Sequence, residues 1–186
     1  MIKQTADIFE ILSKGGFISS DSTSPVIRQL YTLIDENLSE LSDFFGAINF
    51  VLESGNEYFY FSRKENKVDL ERKLEIATRW IDVLDFIKTY DAAFSAGFRF
   101  QPADIFVRVG SDLELKEKLN GLKKLTGKEK HEEIIDKIVN DMKRDGFIEL
   151  ENEITSTYKV VAAFSYLEEL VACINIPEDI QNEIPE

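Results

Sequence analysis

FVLESGNEYFYF at residues 50–61 and FIELENEITSTYKV at 147–160 decide how this chain is read. Each is a run of β-branched, aromatic and aliphatic residues with a short polar loop in its middle. The strand arms fall at Ile48–Leu52 and Tyr58–Phe61 in the first and at Phe147–Leu150 and Tyr158–Val161 in the second. Two such arms around a short turn form a β-hairpin. Two hairpins in one chain pose the question of what precedes each.

Working back from the first hairpin, residues 5–14 place Ile8, Phe9, Ile11 and Leu12 at helical spacing and stop at Gly15-Gly16. Phe17-Ile18-Ser19 reads as a very short extended piece. Ser24-Pro25 opens a second helix, with Ser24 as cap and proline at the first helical position. A third helix runs through Leu38, Leu41, Phe44 and Phe45. Working back from the second hairpin gives the same order. A long helical pattern from Asp69 to about Phe94 carries Leu70, Leu74, Ala77, Ile81, Leu84 and Ile87 on one broad face, with Trp80 beside it. Gly97 stops it, Phe98-Arg99-Phe100 is extended, and Pro102 opens a helix bearing Ile105, Phe106 and Val109. Residues 111–130 are polar and lysine-rich, with no element assigned. A helix through Ile134, Ile135, Ile138, Val139 and Met142 then ends at Gly146. A last helix, Ala163–Ile174, precedes the tail.

Helix, glycine stop, short strand, proline-led helix, helix, hairpin is the order of a winged helix, the helix-turn-helix variant in which a short strand pairs with the wing. The expected fold is therefore mainly α with small β-wings: tandem winged-helix domains joined by a long central helix. The domains are 1–66 and 67–174, with 63–68 as a linker and 175–186 as an acidic tail. The long helix is expected to pack on both halves, and its broad apolar face suits dimerisation.

Composition narrows the function. The net charge is −13, from 22 basic and 35 acidic residues, and it is unevenly spread. Residues 1–62 carry −6, 63–115 carry −1, 116–144 carry +3 and 145–186 carry −9. A field of this sign opposes a protein that coats DNA with its whole surface. In the first half, Glu36, Glu40 and Asp43 are expected on one face of the helix that would enter a groove, where carboxylates repel phosphates. The matching helix of the second half mixes Glu132, Glu133, Asp136 and Asp141 with Lys137, Lys143 and Arg144 and reads as a solvated face. Candidate phosphate contacts are Lys116, Lys118, Lys123, Lys124, Lys128 and Lys130, or else these lysines belong to a flexible solvated loop. Arg63, Lys64 and Lys67, beside the first wing, form a smaller candidate. Tyr58, Phe59, Tyr60 and Phe61 alternate across an expected edge strand. Their outward pair would meet a partner polypeptide or pack on a neighbouring helix.

Nothing points to catalysis. No phosphate-binding loop, dinucleotide fingerprint or nucleophile elbow is present. His131, the one histidine, is expected as a solvated residue near a helix start. Cys173, the one cysteine, is expected as a small buried hydrophobe. No cofactor and no metal is expected. A lone thiol, no secretory leader and no membrane-length apolar run point to the cytoplasm.

Several stretches resemble the MukE/MksE group of "kite" subunits of bacterial SMC complexes. They are EYFYFSRKEN at 57–66, the helix from Leu74 through Ile87 with GFRFQPADIF at 97–106, VNDMKRDGFIEL at 139–150 followed by TSTYKV, and FSYLEELV at 164–171. The resemblance covers about residues 5–175 and rests on hydrophobic patterns. It implies a non-catalytic, nucleoid-associated homodimer that binds a MukF/MksF-like kleisin near a MukB/MksB-like SMC ATPase. It implies a role in chromosome organisation and segregation or in plasmid defence, and admits a weak, non-specific DNA contact. The alternative is a winged-helix transcriptional regulator, which the acidic first helix and a pI near 4.6 oppose.

Overall fold

The computed structural model describes residues 4–62 and 67–174, and the side chains of 67–77, 173 and 174 are outside that description. The linker beyond Ser62, the tail 175–186 and the expected burial of Cys173 therefore fall outside the described residues. The described chain is mainly helical, with two small antiparallel sheets.

The first half runs α1 (Thr5–Leu12), β1 (Ile18–Ser19), α2 (Pro25–Glu36), α3 (Leu38–Gly46), β2 (Val51–Ser54) and β3 (Tyr58–Ser62). Gly15, at φ +82°, turns the chain after α1, and Ser24 Oγ accepts from the Ile27 amide to start α2. The second half runs α4 (Lys67–Tyr90), β4 (Arg99–Phe100), α5 (Pro102–Ser111), α6 (Leu113–Gly121), α7 (Lys123–Thr126), α8 (His131–Arg144), β5 (Ile148–Asn152), β6 (Thr157–Val160) and α9 (Phe164–Ile174). Both sheets have the same strand order, β1-β3-β2 and β4-β6-β5, so in each half the short strand pairs with the second arm of the hairpin. Ile18 lies opposite Phe59, and Phe100 lies opposite Tyr158.

Four expectations change. Residues 111–130 are not a loop: Asp112 caps α6 through its carboxylate on the Leu115 amide, and Leu115, Leu119 and Leu122 are buried in the second core. Their spacing is helical, and the lysines lie on the outer face. The long helix ends at Tyr90, where Asp91 opens a turn by accepting from the Ala93 amide, and Gly97 instead donates to the Val160 carbonyl of β6. Its described face, from Trp80 to Tyr90, is buried in the second core. Glu36 closes α2 while Glu40 and Asp43 belong to α3. Asn37 breaks the helix between them, so the three carboxylates are exposed but do not share one helical face. Finally, β3 is the central strand of its sheet and not an edge.

The three-residue loop of the first hairpin takes its left-handed residue at Glu57, φ +65°. Gly55 is required for another reason: the ring of Tyr58 lies over it, and a Cβ there would sit 2.0 Å from the ring Cζ. Tyr58 is 1% exposed, so the ring has little room to swing away. Gly55→Ala is expected to cost about 1–3 kcal/mol by overpacking, read as a lowered unfolding midpoint in thermal denaturation.

Candidate functional site

Two cores and one joint organise the molecule. Ile8, Leu12, Ile34, Phe45 and Phe59 lie in the first core, and Trp80, Phe94, Leu119, Ile138 and Phe164 in the second. The joint is built around residues 17–23. Phe17, delivered by the Gly15-Gly16 turn, packs its ring among Tyr58 (5.8 Å between centroids), Tyr60 (6.0 Å), Phe147 (5.7 Å) and Tyr166 (5.3 Å). Below it, Tyr58 is buried with Val161, Ala162 and Ala163. A polar clasp completes the joint. Glu149 of β5 accepts from Ser22 Oγ (2.8 Å), the Thr23 amide (2.6 Å) and Thr23 Oγ1 (2.6 Å). Asp21 accepts from the Ala162 amide at 2.8 Å and pairs with Lys159 at 3.2 Å, while Lys159 also donates to the Asp21 carbonyl.

Beside this joint a groove of about 630 Å³ opens between the halves. Its walls come from five places in the chain: the turn Lys14–Phe17, the end of β3 (Tyr60, Phe61), Trp80 of α4, the end of α8 through Phe147, and α9 (Tyr166, Leu167, Leu170). Trp80 stands edge-on to Phe147 at 5.4 Å and fixes the floor. Lys14 and Arg144 stand on the rim. Lys14 pairs with Glu10 at 2.9 Å, and Arg144 with Asp141 and Asp145, both at 2.8 Å. An apolar, aromatic cleft with a few charges at its edge suits binding an apolar segment.

The tyrosines record how closed the joint is. Burial, then the nearby Glu169 carboxylate and the neighbouring phenols, push the Tyr58 hydroxyl up to about 12, and burial with Glu53 raises Tyr60 as well. Folding therefore keeps a proton on Tyr58 that the unfolded chain releases near 10. The sign follows: this contribution to stability is intact below pH 10 and is lost as pH rises toward 12. Tyr58→Phe is expected to flatten the alkaline limb of a stability–pH curve across that window, measured by denaturant titration.

The candidate partner residues divide between two faces. Phe59 (2% exposed) and Phe61 turn to the first core; Tyr58 and Tyr60 turn to the second half. The outward pair, Tyr58 and Tyr60, meets the other half of its own chain at Val161–Ala163 and Tyr166. Tyr60 and Phe61 retain partial exposure, and it is into the groove.

The lysine run divides as well. Lys118 donates to Asp85 of α4 at 2.7 Å, and this bond holds its ammonium above the usual range. Lys123 pairs with Glu129 and Lys130 with Glu133, each at 3.5 Å. Lys116, Lys124 and Lys128 are exposed, with no ion pair among the described residues. Arg63 and Lys64 lie outside the described residues, as does the side chain of Lys67. His131 begins α8, with Nε2 3.0 Å from Asn120 Oδ1. Among the described residues no group of three or more His, Cys, Asp or Glu side chains is placed to hold a metal. Nor is any described helix long and apolar enough to cross a membrane.

One centre escaped the sequence reading. Asp141, taken for part of a solvated face, is 5% exposed and accepts from Arg79 of α4, Lys137 (2.7 Å) and Arg144 (2.8 Å). The signal was present in the i−4 and i+3 spacing of Lys137 and Arg144 about Asp141. Arg79, from a different helix, had no local signal.

The family model described as condensin complex protein MksE matches residues 3–171. No curated protein matches the chain.

Proposed function

The chain belongs to the MksE family of condensin complex proteins, and from this premise we propose that it is a non-catalytic accessory subunit of an SMC complex that holds a kleisin segment in the groove between its halves. The match over residues 3–171 carries the reading. The repeated element order and the shared strand order support two winged-helix domains, 1–66 and 67–174, followed by the acidic tail 175–186. The interdomain clasp supports their acting as one rigid holder. The aromatic floor, with Tyr60, Phe61 and Trp80 on its walls, gives an apolar stretch of a MukF/MksF-like kleisin a place to bury its side chains. Exposed carboxylates at Glu40 and Asp43 on α3 favour a polypeptide over phosphates as that helix's neighbour. The subunit works as a homodimer beside a MukB/MksB-like ATPase, in the cytoplasm and on the nucleoid, in chromosome organisation and segregation or in plasmid defence. DNA contact, through Lys116, Lys124 and Lys128, is weak, sequence-independent and salt-sensitive.

Co-expression with the kleisin encoded in the same genome, followed by co-purification and calorimetry, tests this. Tyr60→Asp and Leu170→Asp each place a charge in the groove without touching the clasp. Each is expected to weaken kleisin binding tenfold or more with folding retained. Wild-type affinity in both variants would exclude the groove, and no co-purification at all would exclude the subunit role.

A further inference from the structure

α9 walls one side of the groove with Tyr166, Leu167 and Leu170 and ends at Ile174. The sequence continues as NIPEDIQNEIPE, 175–186. Isoleucine recurs at every fourth position, 176, 180 and 184, and Glu178, Asp179, Glu183 and Glu186 accompany it. The segment thus combines regularly spaced isoleucines with a strongly acidic composition. The family match ends at residue 171, so the segment lies beyond the pattern that defines the family.

We propose that residues 175–186 are an in-cis occupant of the groove, seating Ile180 and Ile184 on its aromatic floor and carboxylates at its Lys14 end, and that a kleisin segment must displace them. The inference rests on the reading of the groove as the kleisin site.

Three observations support it. The first is reach. Leu170 stands four residues before the end of α9, about 6 Å back along the helix. The twelve residues 175–186 can reach at most about 40 Å. The second is chemistry. The groove is aromatic and aliphatic, and among the described residues Lys14 on its rim is held by an exposed pair with Glu10, a weak kind of contact in water. A tail carboxylate can exchange with Glu10 at little cost. Arg144, the other cation of the rim, already pairs with Asp141 and Asp145, so the attraction concentrates at Lys14. The third is tethering. A segment attached to the wall of its own site has an effective concentration in the range of about millimolar. Even a weak intrinsic affinity then keeps the groove substantially filled.

The one tryptophan of the chain, Trp80, lines the groove and reports on it directly. The full chain and its Ile180→Asp/Ile184→Asp variant are compared by the indole N–H resonance in a proton–nitrogen correlation spectrum. The resonance is expected to move in the variant. A synthetic peptide of residues 175–186, added to the variant, is expected to move it back toward the wild-type position. The kleisin segment is expected to bind the variant about fivefold more tightly, the ratio set by the fraction of grooves the tail occupies. An indole resonance unmoved by both the substitutions and the peptide overturns the proposal. A shift that depends on protein concentration assigns the seat to the tail of a second copy and also overturns it. If the resonance moves but kleisin affinity does not, competition is rejected and so is the groove as the kleisin site. If the kleisin fails to bind any form, the subunit reading fails alone, and the indole shift still decides where the tail sits.

Discussion

Phe17→Ala is expected to separate the unfolding of the two halves and to lower the midpoint of the less stable one by about 6–12 °C. The Phe17 ring touches both Phe147 and Tyr166 of the second half while also meeting Tyr58 and Tyr60 of the first sheet. Its truncation removes the apolar contact at the centre of the joint and leaves a void beside the groove. Full burial would set the cost of a phenylalanine-to-alanine change at about 3–5 kcal/mol. Phe17 keeps partial exposure, so the lower end, about 3 kcal/mol, applies. For a chain of this length each kcal/mol moves the midpoint by about 2–4 °C. The Asp21 and Glu149 clasp remains in the variant, so the halves stay associated at low temperature but melt without full cooperativity. Differential scanning calorimetry reads this as a van't Hoff enthalpy below the calorimetric one. A single two-state transition near the wild-type midpoint would show that the clasp alone couples the halves.

Asp141→Asn is expected to cost about 2–3 kcal/mol, below the 3–5 of a fully buried pair that loses a partner. The carboxylate is nearly enclosed, with a side-chain accessibility of 7%, whereas Arg79, Lys137 and Arg144 keep 36%, 38% and 58%. Once the negative charge is gone, three cations remain together, with Asp145 the carboxylate that opposes them among the described residues. Water reaches each of them, and this limits the penalty. The amide retains one acceptor oxygen, so the loss is mainly of charge. Because Arg79 comes from α4 and Asp141 from α8, the damage falls on the docking of those two helices. A double-mutant cycle separates this from loss of shape: Asp141→Asn with Arg79→Gln should cost less than the sum of the singles by 1 kcal/mol or more, on the order of coupling seen within a charged network. Urea midpoints for the four proteins check it, and strict additivity would mean that Arg79 is an onlooker. Arg144 also stands on the groove rim, so the same variant should weaken kleisin binding modestly.

What the amino-acid sequence determined by itself is the repeated local order. Gly15-Gly16, Ser24-Pro25 and Pro102 act on the backbone within a few residues of themselves, and the change of hydrophobic period into each hairpin is equally local. Those signals placed most of the helices and the hairpin of each half and supported the family resemblance. Even α6 was legible in the helical spacing of Leu115, Leu119 and Leu122, which the density of surrounding lysines obscured. Only the tertiary structure decided what covers each face. Alternation along Tyr58–Phe61 says that two rings point each way, but a strand becomes central only when β1, some forty positions earlier in the chain, pairs with it. The burial of Asp141 depends on Arg79 arriving from another helix, and the groove on five segments meeting around Phe17. Such features arise from contacts between residues distant in the chain, whose energies are set by geometry and water exclusion at the meeting point. No short window of sequence carries that information.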